Sequence, residues 1–530
     1  MNKKFSLETI DIIFIIILLT ISTIIKIQTY PDGIAIDEAN HWAEVRHHKI
    51  LEVYTGNYNS PMPESPLFFY INYLMIRIKN DLLIFRIPQI LFSYATIILF
   101  YIFAKTFFNR YTAFLASFLL TISRSFNLVS AYVNPHIYQM FFSLATIITY
   151  MLAVKEKNEK YLIWTFIFAA ICYLINPLGV ITITTLIFSL LLVKNKFIYV
   201  SKNKSSKKLV VSKNLIFGLL IFFLITIVIS PGQFLKGRFI KDTLLRRSFI
   251  QEEKRNMNIP SFSFSLLITL WNVNVGFTKV FIIIGAIGAI IISFKKKILL
   301  PLLIYLLTYL FVMSFAKGAV TYTVHIIMFL YIFFSEIAFK IINIFFIFVH
   351  KAFSNKLSLI QKKERINTYL RILGLIVIPI LLLFLYESEK KYYKCNMQTS
   401  LGHEQSKKVY EYIKSKNESG VYILLDVIAS SINYYVSRDK VDIHVFGINH
   451  LSNFSLEMIN EALPPEHYYY DYIVLEDYDY LNKNSSRYTT FQKIEETCIL
   501  ETKITRSSCF ADIRRMSIFN CKNMTLTSKS

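Results

Sequence analysis

Long apolar runs alternate with short polar breaks over the first 387 residues. Most of the runs approach the roughly 20 residues that an α-helix needs to cross the hydrocarbon core of a bilayer. The pattern therefore predicts an α-helical multi-pass membrane domain with about eleven spanning helices. The predicted spans fall at about 10–25, 87–107, 112–130, 136–154, 161–176, 177–193, 214–231, 271–294, 298–316, 319–339 and 368–387.

Two apolar stretches need separate interpretation. The first run follows a basic N-terminus and lacks a small-x-small cleavage site, so it indicates a signal anchor rather than a cleaved signal peptide. The stretch SPLFFYINYLMIRI has only about 14 residues before charge returns at Lys79 and Asp81, which is short for a span. It suits a helix lying on the membrane surface, within a predicted outer loop at about 27–86.

Composition and charge support this organisation. Hydrophobic residues make up 54% of the 530 residues and charged residues only 18%, which excludes an ordinary soluble protein. The net charge of +23 comes mainly from Lys and Arg in short breaks between apolar runs, as in cytoplasmic loops that face anionic lipid. Nucleic acid is the weaker explanation of this charge. The bias predicts a cytoplasmic (inner) membrane protein with its N-terminus inside.

Residues 388–530 have a mixed polar and aromatic composition, which predicts a soluble extracytoplasmic α/β domain. VYILLD and YDYIVLED are typical of buried strands, and EQSKKVYEYIKSK of an amphipathic helix. Cys395, Cys498, Cys509 and Cys521 lie in this domain. In a non-cytosolic compartment four cysteines allow two disulfides with three connectivities.

Acidic and basic side chains stand close to the membrane on the predicted outer side. Asp37 and Glu38 follow the first span. Adjacent acidic residues in a loop are usually only solvated charges. Close to the membrane, however, an unpaired carboxylate costs free energy, which favours a function or a partner for this pair. Arg86 precedes Pro88 at the mouth of a span. It is either an interface arginine or a partner for one of the carboxylates or for a phosphate.

The second predicted outer loop, at about 232–270, is strongly basic although the orientation rule favours basic loops inside. Two explanations of this basic loop are open. It forms either an amphipathic helix on anionic headgroups or a site for a bound phosphate, whose oxygens the paired N–H groups of arginine match well. The candidate phosphate ligands in it are Arg246, Arg247, Lys254 and Arg255.

The order of several short motifs resembles the polyprenyl-phosphate-sugar-dependent glycosyltransferases of the GT-C fold. The nearest branch is similar to the protein O-mannosyltransferases and the lipid A aminoarabinose transferases. The resemblance covers about 30–155 and is topological elsewhere. In chain order the motifs are Asp37-Glu38, Glu64-Ser65-Pro66-Leu67-Phe68, Arg86-Ile87-Pro88, FFNRYTA, and Tyr132-Val133-Asn134-Pro135-His136-Ile137-Tyr138.

The resemblance implies transfer of a sugar from a lipid phosphate to a lipid, glycan or protein acceptor on the outer face. Asp37 matches the catalytic aspartate, which takes the proton of the acceptor hydroxyl. Glu38 matches a structural partner of an arginine, for which Arg86 is the candidate. The basic loop would hold the leaving phosphate, together with Arg86. A single displacement implies inversion at the anomeric carbon.

A divalent metal ion is an open alternative. Glu64 matches a carboxylate that helps to hold a metal in the aminoarabinose-transferase branch, but the late outer loop contains no histidine, which the metal-binding relatives use. The sequence also departs from the family at Ser65 and Asn40. His41, His47 and His48 are expected to be solvated, as isolated loop histidines usually are.

Two rival functions remain. An envelope polysaccharide ligase or polymerase that uses a diphosphate-linked glycan would need the basic loop but not the acidic pair. A lipid-linked sugar transporter or flippase should show charged or broken helices at the membrane midplane and repeat symmetry, and the sequence shows neither.

Overall fold

The computed structural model describes most of the chain. The described residues are 7–29, 36–55, 66–193, 197–203, 206–232, 265–273, 277–314, 320–353, 403–416, 418–425, 429–447, 470–476, 486–505 and 515–522.

The first part of the chain is a bundle of apolar helices. Each predicted span contains a described helix, except 368–387, which lies outside the described residues. The helices are α1 (Thr9–Thr29), α2 (Ile36–His47), α3 (Ile50–Thr55), α4 (Pro66–Ile78), α5 (Leu82–Phe107), α6 (Arg110–Ile122), α7 (Arg124–Ala131), α8 (His136–Glu156), α9 (Lys160–Ile175), α10 (Val180–Leu192), α11 (Lys213–Ile229), α12 (Ser265–Val273), α13 (Phe277–Lys295), α14 (Leu300–Met313) and α15 (Val320–Phe353).

Within α1, α5, α8 and α15, four stretches of the described residues are long and apolar enough to cross a membrane. Helices α6 and α7 form a fifth candidate that is bent by 58° at Ser123. The remaining apolar helices are shorter. The multi-pass membrane class is therefore confirmed, while the number of eleven spans stays a prediction.

Local sequence explains where several helices begin and how closely they pack. Asp81 caps α5 by accepting from the Leu83 N–H at 2.8 Å, and Asn109 caps α6 by accepting from two backbone N–H groups. Gly285 lets α13 approach α15, because a Cβ at this position would lie 2.4 Å from the Leu330 carbonyl oxygen.

The first span is tied to its neighbours by a buried carboxylate. Asp11 is fully buried, accepts from Lys105 Nζ at 2.6 Å and from the Tyr101 hydroxyl at 2.8 Å, and lies 3.4 Å from Arg110 Nε. Lys105 and Arg110 belong to a break that was assigned to the cytoplasm. Their charges therefore stabilise the contact of α1 with α5 and α6.

Two elements fall in segments that were predicted as loops. Helix α12 begins in the predicted outer loop at about 232–270 and ends just inside the predicted span at about 271–294. A hairpin of β1 (Ile198–Asn203) and β2 (Ser206–Val211) occupies part of the break before α11. The β-branched residues Ile198, Val200, Val210 and Val211 favour these strands.

The C-terminal part is an α/β unit, as predicted. Its elements are α16 (His403–Ser415), β3 (Val421–Leu425), α17 (Ala429–Asp439), β4 (Ile443–Gly447), β5 (Tyr472–Glu476), α18 (Ser486–Thr497), β6 (Ile499–Thr505) and β7 (Arg515–Asn520). The five strands follow the order β4-β3-β5-β7-β6, with β4, β3 and β5 parallel and both β5–β7 and β7–β6 antiparallel. The two predicted strands and the predicted amphipathic helix are confirmed as β3, β5 and α16.

One covalent link and one charged contact stabilise this unit. A disulfide joins Cys498 to Cys521, which selects one pair from the connectivities that the sequence left open. Disulfides are typical of non-cytosolic compartments, and the extracytoplasmic location of this domain stays a prediction. Hydrogen bonds from Arg438, Lys414 and Tyr410 hold the pKa of Asp439 well below its usual range and connect α17 to α16.

Candidate active site

A fully buried ion pair connects α2 to α5. Arg86 donates from Nε to Glu38 Oε1 at 2.6 Å and from Nη2 to Glu38 Oε2 at 2.5 Å, and neither side chain is exposed. This two-pronged geometry is the strong form of an arginine–carboxylate contact. The ion pair that the sequence predicted between Glu38 and Arg86 is therefore present.

The Tyr132–Tyr138 turn completes the environment of Glu38. The Val133 N–H donates to Glu38 Oε1 at 3.1 Å. Asn134 holds this turn, because its Nδ2 donates to the carbonyl oxygens of Val129 and Tyr132 and its Oδ1 accepts from the His136 N–H. The turn thereby stabilises the carboxylate and begins α8 at His136.

The pair fixes the start of α2, which carries Asp37. Asp37 is the second residue of this helix and directly precedes Glu38. Neighbouring residues of an α-helix project about 100° apart, so the Asp37 position lies on a different face of α2 from the Glu38 position. His41 follows four residues later and shares the Asp37 face.

His41 is buried, so the prediction that it is solvated is wrong. Its side chain packs edge-on against Phe68 with ring centroids 5.0 Å apart, and Nδ1 lies 3.6 Å from a Glu44 carboxylate oxygen. Phe68 in turn contacts Tyr138 of α8, with ring centroids 5.7 Å apart. Helix α4 covers this side of α2. The prediction treated His41 as an isolated loop residue and therefore did not include this contact between helices.

Sequence reasoning missed a polar and aromatic cluster at the Glu38 end of the bundle. His136 contacts Tyr322 and His325, with ring centroids at 5.0 Å and 5.8 Å. Tyr309 stacks on His325 at 5.1 Å, and the Tyr305 hydroxyl lies 3.5 Å from His325 Nδ1. We call these five residues the His–Tyr cluster. The sequence signal for this cluster is a histidine inside a predicted span. Burial of an ionisable side chain in a membrane costs free energy, so such a residue usually has a function.

The C-terminal domain contacts the same helix α2. Trp42 packs edge-on against Tyr434 of α17, with ring centroids 5.3 Å apart, and Arg46 Nη1 donates a hydrogen bond to Ser437 Oγ. Trp42 also donates to Asn80 Oδ1 at 2.9 Å. Helix α2 therefore lies between the bundle and the soluble domain, a contact that the sequence did not predict.

The remaining predicted site residues fall on parts of the chain that the structure does not describe. Glu64, Arg246, Arg247, Lys254 and Arg255 lie outside the described residues, and the side chain of Asp37 is not described. Within the described part of the chain, no group of three His, Cys, Asp or Glu side chains is arranged to hold a metal ion.

Comparison with known proteins identifies the architecture. Residues 62–230 match the family model described as dolichyl-phosphate-mannose-protein mannosyltransferase. ArnT from Cupriavidus metallidurans in the apo state aligns over 96% of this chain and 97% of its own, with a TM-score of 0.55 and 10% identity. ArnT bound to undecaprenyl phosphate aligns over 98% and 99%, with a TM-score of 0.52 and 11% identity.

An oligosaccharyltransferase from Archaeoglobus fulgidus, tethered to an acceptor peptide, aligns over 98% of this chain and 74% of its own. Its TM-score is 0.59 at 12% identity. The chain has the GT-C glycosyltransferase fold. No curated protein sequence matches the chain in the corresponding search.

The GT-C fold and the predicted resemblance are thus confirmed by a family match and by structures that agree over nearly the whole chain. The family match also confirms the predicted enzyme class, a glycosyltransferase. It includes Arg86 and the Tyr132–Tyr138 turn, whereas α2 with Asp37 and Glu38 lies before it.

Proposed function

We propose that the chain moves a sugar from a polyprenyl-phosphate donor to a lipid, glycan or protein acceptor on the extracytoplasmic face of the membrane. The observation that carries this proposal is the buried Glu38–Arg86 pair, which holds the start of α2 and with it the position of Asp37. The undecaprenyl phosphate bound to ArnT supports the donor class. The test is sugar transfer from a defined donor by wild type and by Asp37→Asn.

The chemistry needs one base and one anion site. The acceptor hydroxyl oxygen attacks the anomeric carbon, its proton passes to the Asp37 carboxylate, and the bond from the anomeric carbon to the phosphate oxygen breaks. Polyprenyl phosphate leaves as an anion, so it needs positive charge rather than a proton donor. A single displacement inverts the anomeric configuration.

Arg86 has a different environment from the one that direct phosphate binding requires. Its guanidinium is fully buried and donates two hydrogen bonds to Glu38. In the proposal Arg86 therefore supports α2. Binding of the donor phosphate, which the sequence predicted for Arg86, is not its main role. The donor phosphate is assigned mainly to the basic loop. If a divalent metal ion takes part, Glu64 is a candidate ligand of that ion.

We expect the double variant Arg246→Ala/Arg247→Ala to weaken binding of undecaprenyl phosphate by roughly 10²- to 10⁴-fold, because each of the two charge-assisted contacts to a phosphate is worth about 1.5–3 kcal/mol. Lipid binding to the purified protein in detergent or nanodiscs measures this effect. Lys207→Ala/Lys208→Ala in the hairpin removes the same charge and serves as the control. Equal affinities of the two double variants would assign the basic loop to general headgroup contacts.

The orientation gives a separate prediction. Single cysteines introduced at Asn57 and Gln251 should react with an impermeant maleimide in intact cells, whereas one at Ser205 should react only after the membrane is permeabilised. The basis is the excess of Lys and Arg in the breaks assigned to the cytoplasm. Labelling of the Ser205 position in intact cells would invert the topology and remove the proposed site from the outer face.

A further inference from the structure

The His–Tyr cluster contains buried polar atoms without a partner. His325 and Tyr309 are fully buried in the bundle. Within the described part of the chain, neither His325 Nε2 nor the Tyr309 hydroxyl has a hydrogen-bond partner. Buried polar groups in native proteins are nearly always hydrogen-bonded, and polar side chains inside membrane bundles are usually functional. Because the two rings are stacked on each other, unlike the similarly buried Tyr150, their two atoms point to one shared ligand.

The contacts of the cluster hold the two side chains in place. Tyr305 of α14 lies beside His325 Nδ1 at 3.5 Å, which leaves Nε2 at the other edge of the ring. Tyr309 lies one turn further along α14 and stacks on the same imidazole at 5.1 Å. His136 of α8 closes the group at 5.8 Å from His325. Rings fixed by such packing present their polar atoms in one orientation.

The cluster is linked to the proposed reaction site through α8 and α2. His136 begins α8 three residues after Val133, whose N–H contacts Glu38. His41 shares a face of α2 with Asp37 and packs on Phe68, and Phe68 contacts Tyr138 of α8 with ring centroids 5.7 Å apart. A ligand bound by His325 and Tyr309 would therefore lie near the base of the proposed reaction.

The chemistry of the cluster selects a neutral ligand. Within the described residues, the rings in contact with His136, Tyr309 and His325 belong to other histidines and tyrosines. Neutral imidazoles and phenols donate to and accept from hydroxyl groups, but they offer no counter-charge to a buried cation or anion. Their rings also provide apolar surface for the C–H faces of a sugar.

We propose that the His–Tyr cluster binds the sugar of the lipid donor and that this sugar is neutral, a hexose or N-acetylhexosamine rather than an aminosugar or a uronic acid. The proposal rests on the proposed function and adds the class of the sugar and two residues that determine specificity. His325 Nε2 and the Tyr309 hydroxyl pair with sugar hydroxyls.

The experiment compares binding of undecaprenyl phosphate with binding of undecaprenyl-phosphate-hexose to purified protein. Tyr309→Phe should weaken the hexose-bearing lipid by about 3- to 10-fold, the usual effect of one lost hydrogen bond, and leave the sugar-free lipid unchanged. Tyr150→Phe is the matched control, because it removes another buried hydroxyl of the bundle outside the cluster. A 4-aminopentose on the same lipid should bind more weakly than the hexose.

Four results would overturn the assignment. Equal effects of Tyr309→Phe and Tyr150→Phe, or equal weakening of both lipids by Tyr309→Phe, would remove the cluster from sugar binding while the proposed function stands. Preference for the cationic sugar would contradict its neutral character. If wild type binds neither lipid, the proposed function and the assignment fall together.

Discussion

Asp37→Asn should reduce sugar transfer by about 10²- to 10⁴-fold, the usual contribution of a positioned general base. Asparagine has nearly the same shape as aspartate but cannot take the proton of the acceptor hydroxyl near neutral pH. The change leaves Glu38 and Arg86 in place, so membrane insertion and binding of the lipid donor should stay within about twofold of wild type. Initial rates at saturating donor measure the first effect, and direct lipid binding the second.

Asp81→Asn is the matched control for this variant. Asp81 caps α5 close to Asn80, the hydrogen-bond partner of Trp42, and asparagine serves as a helix cap as well as aspartate does. The control should keep nearly full activity. Retention of more than about a tenth of the wild-type turnover by Asp37→Asn would show that Asp37 is not the base.

Arg86→Ala should lower the free energy of unfolding by about 3–5 kcal/mol, because it leaves the Glu38 carboxylate buried without its partner. Glu38→Gln should also destabilise the protein, since the Arg86 guanidinium then lacks a counter-charge. Both variants should lose activity together with stability, unlike Asp37→Asn. Thermal unfolding of the protein in detergent gives the comparison.

Two further variants separate the pair from general damage. Lys79→Ala removes one partner of an exposed ion pair at 3.6 Å and should cost only about 0–1 kcal/mol. The double variant Glu38→Leu/Arg86→Met removes both buried charges and should be more stable than either single charge deletion. If Arg86→Ala were no less stable than Lys79→Ala, the pair would not hold α2.

The helices were predictable because each span is a local apolar run. The bend between α6 and α7 was not, since Ser123 interrupts a stretch of residues 112–130 that is apolar enough to pass as one span. The hairpin before α11 was also missed, because its basic residues dominated the interpretation of that break as a loop. Within the soluble domain, buried strands and an amphipathic helix gave clear periodic signals, but sheet order depends on contacts between distant segments.

The candidate site likewise contains residues that could be predicted from the sequence and residues that could not. Glu38 and Arg86 could be paired in advance because the order of motifs resembles a known family. The His–Tyr cluster could not be predicted, since His136 and His325 are brought together only by the packing of α8 against α15. The contact of Trp42 with Tyr434 joins two domains, and neither residue carries a pattern that reveals its partner.

The most direct test of the central claim follows a labelled sugar. Purified wild-type protein in liposomes is given undecaprenyl-phosphate-hexose with a labelled sugar and an extract of the cell envelope. We expect label to enter an acceptor with inverted anomeric configuration, sugar-free undecaprenyl phosphate to be released in equal amount, and Asp37→Asn to slow both by at least about 100-fold. Transfer only from a diphosphate-linked glycan, or movement of intact donor across the bilayer without release of undecaprenyl phosphate, would contradict it.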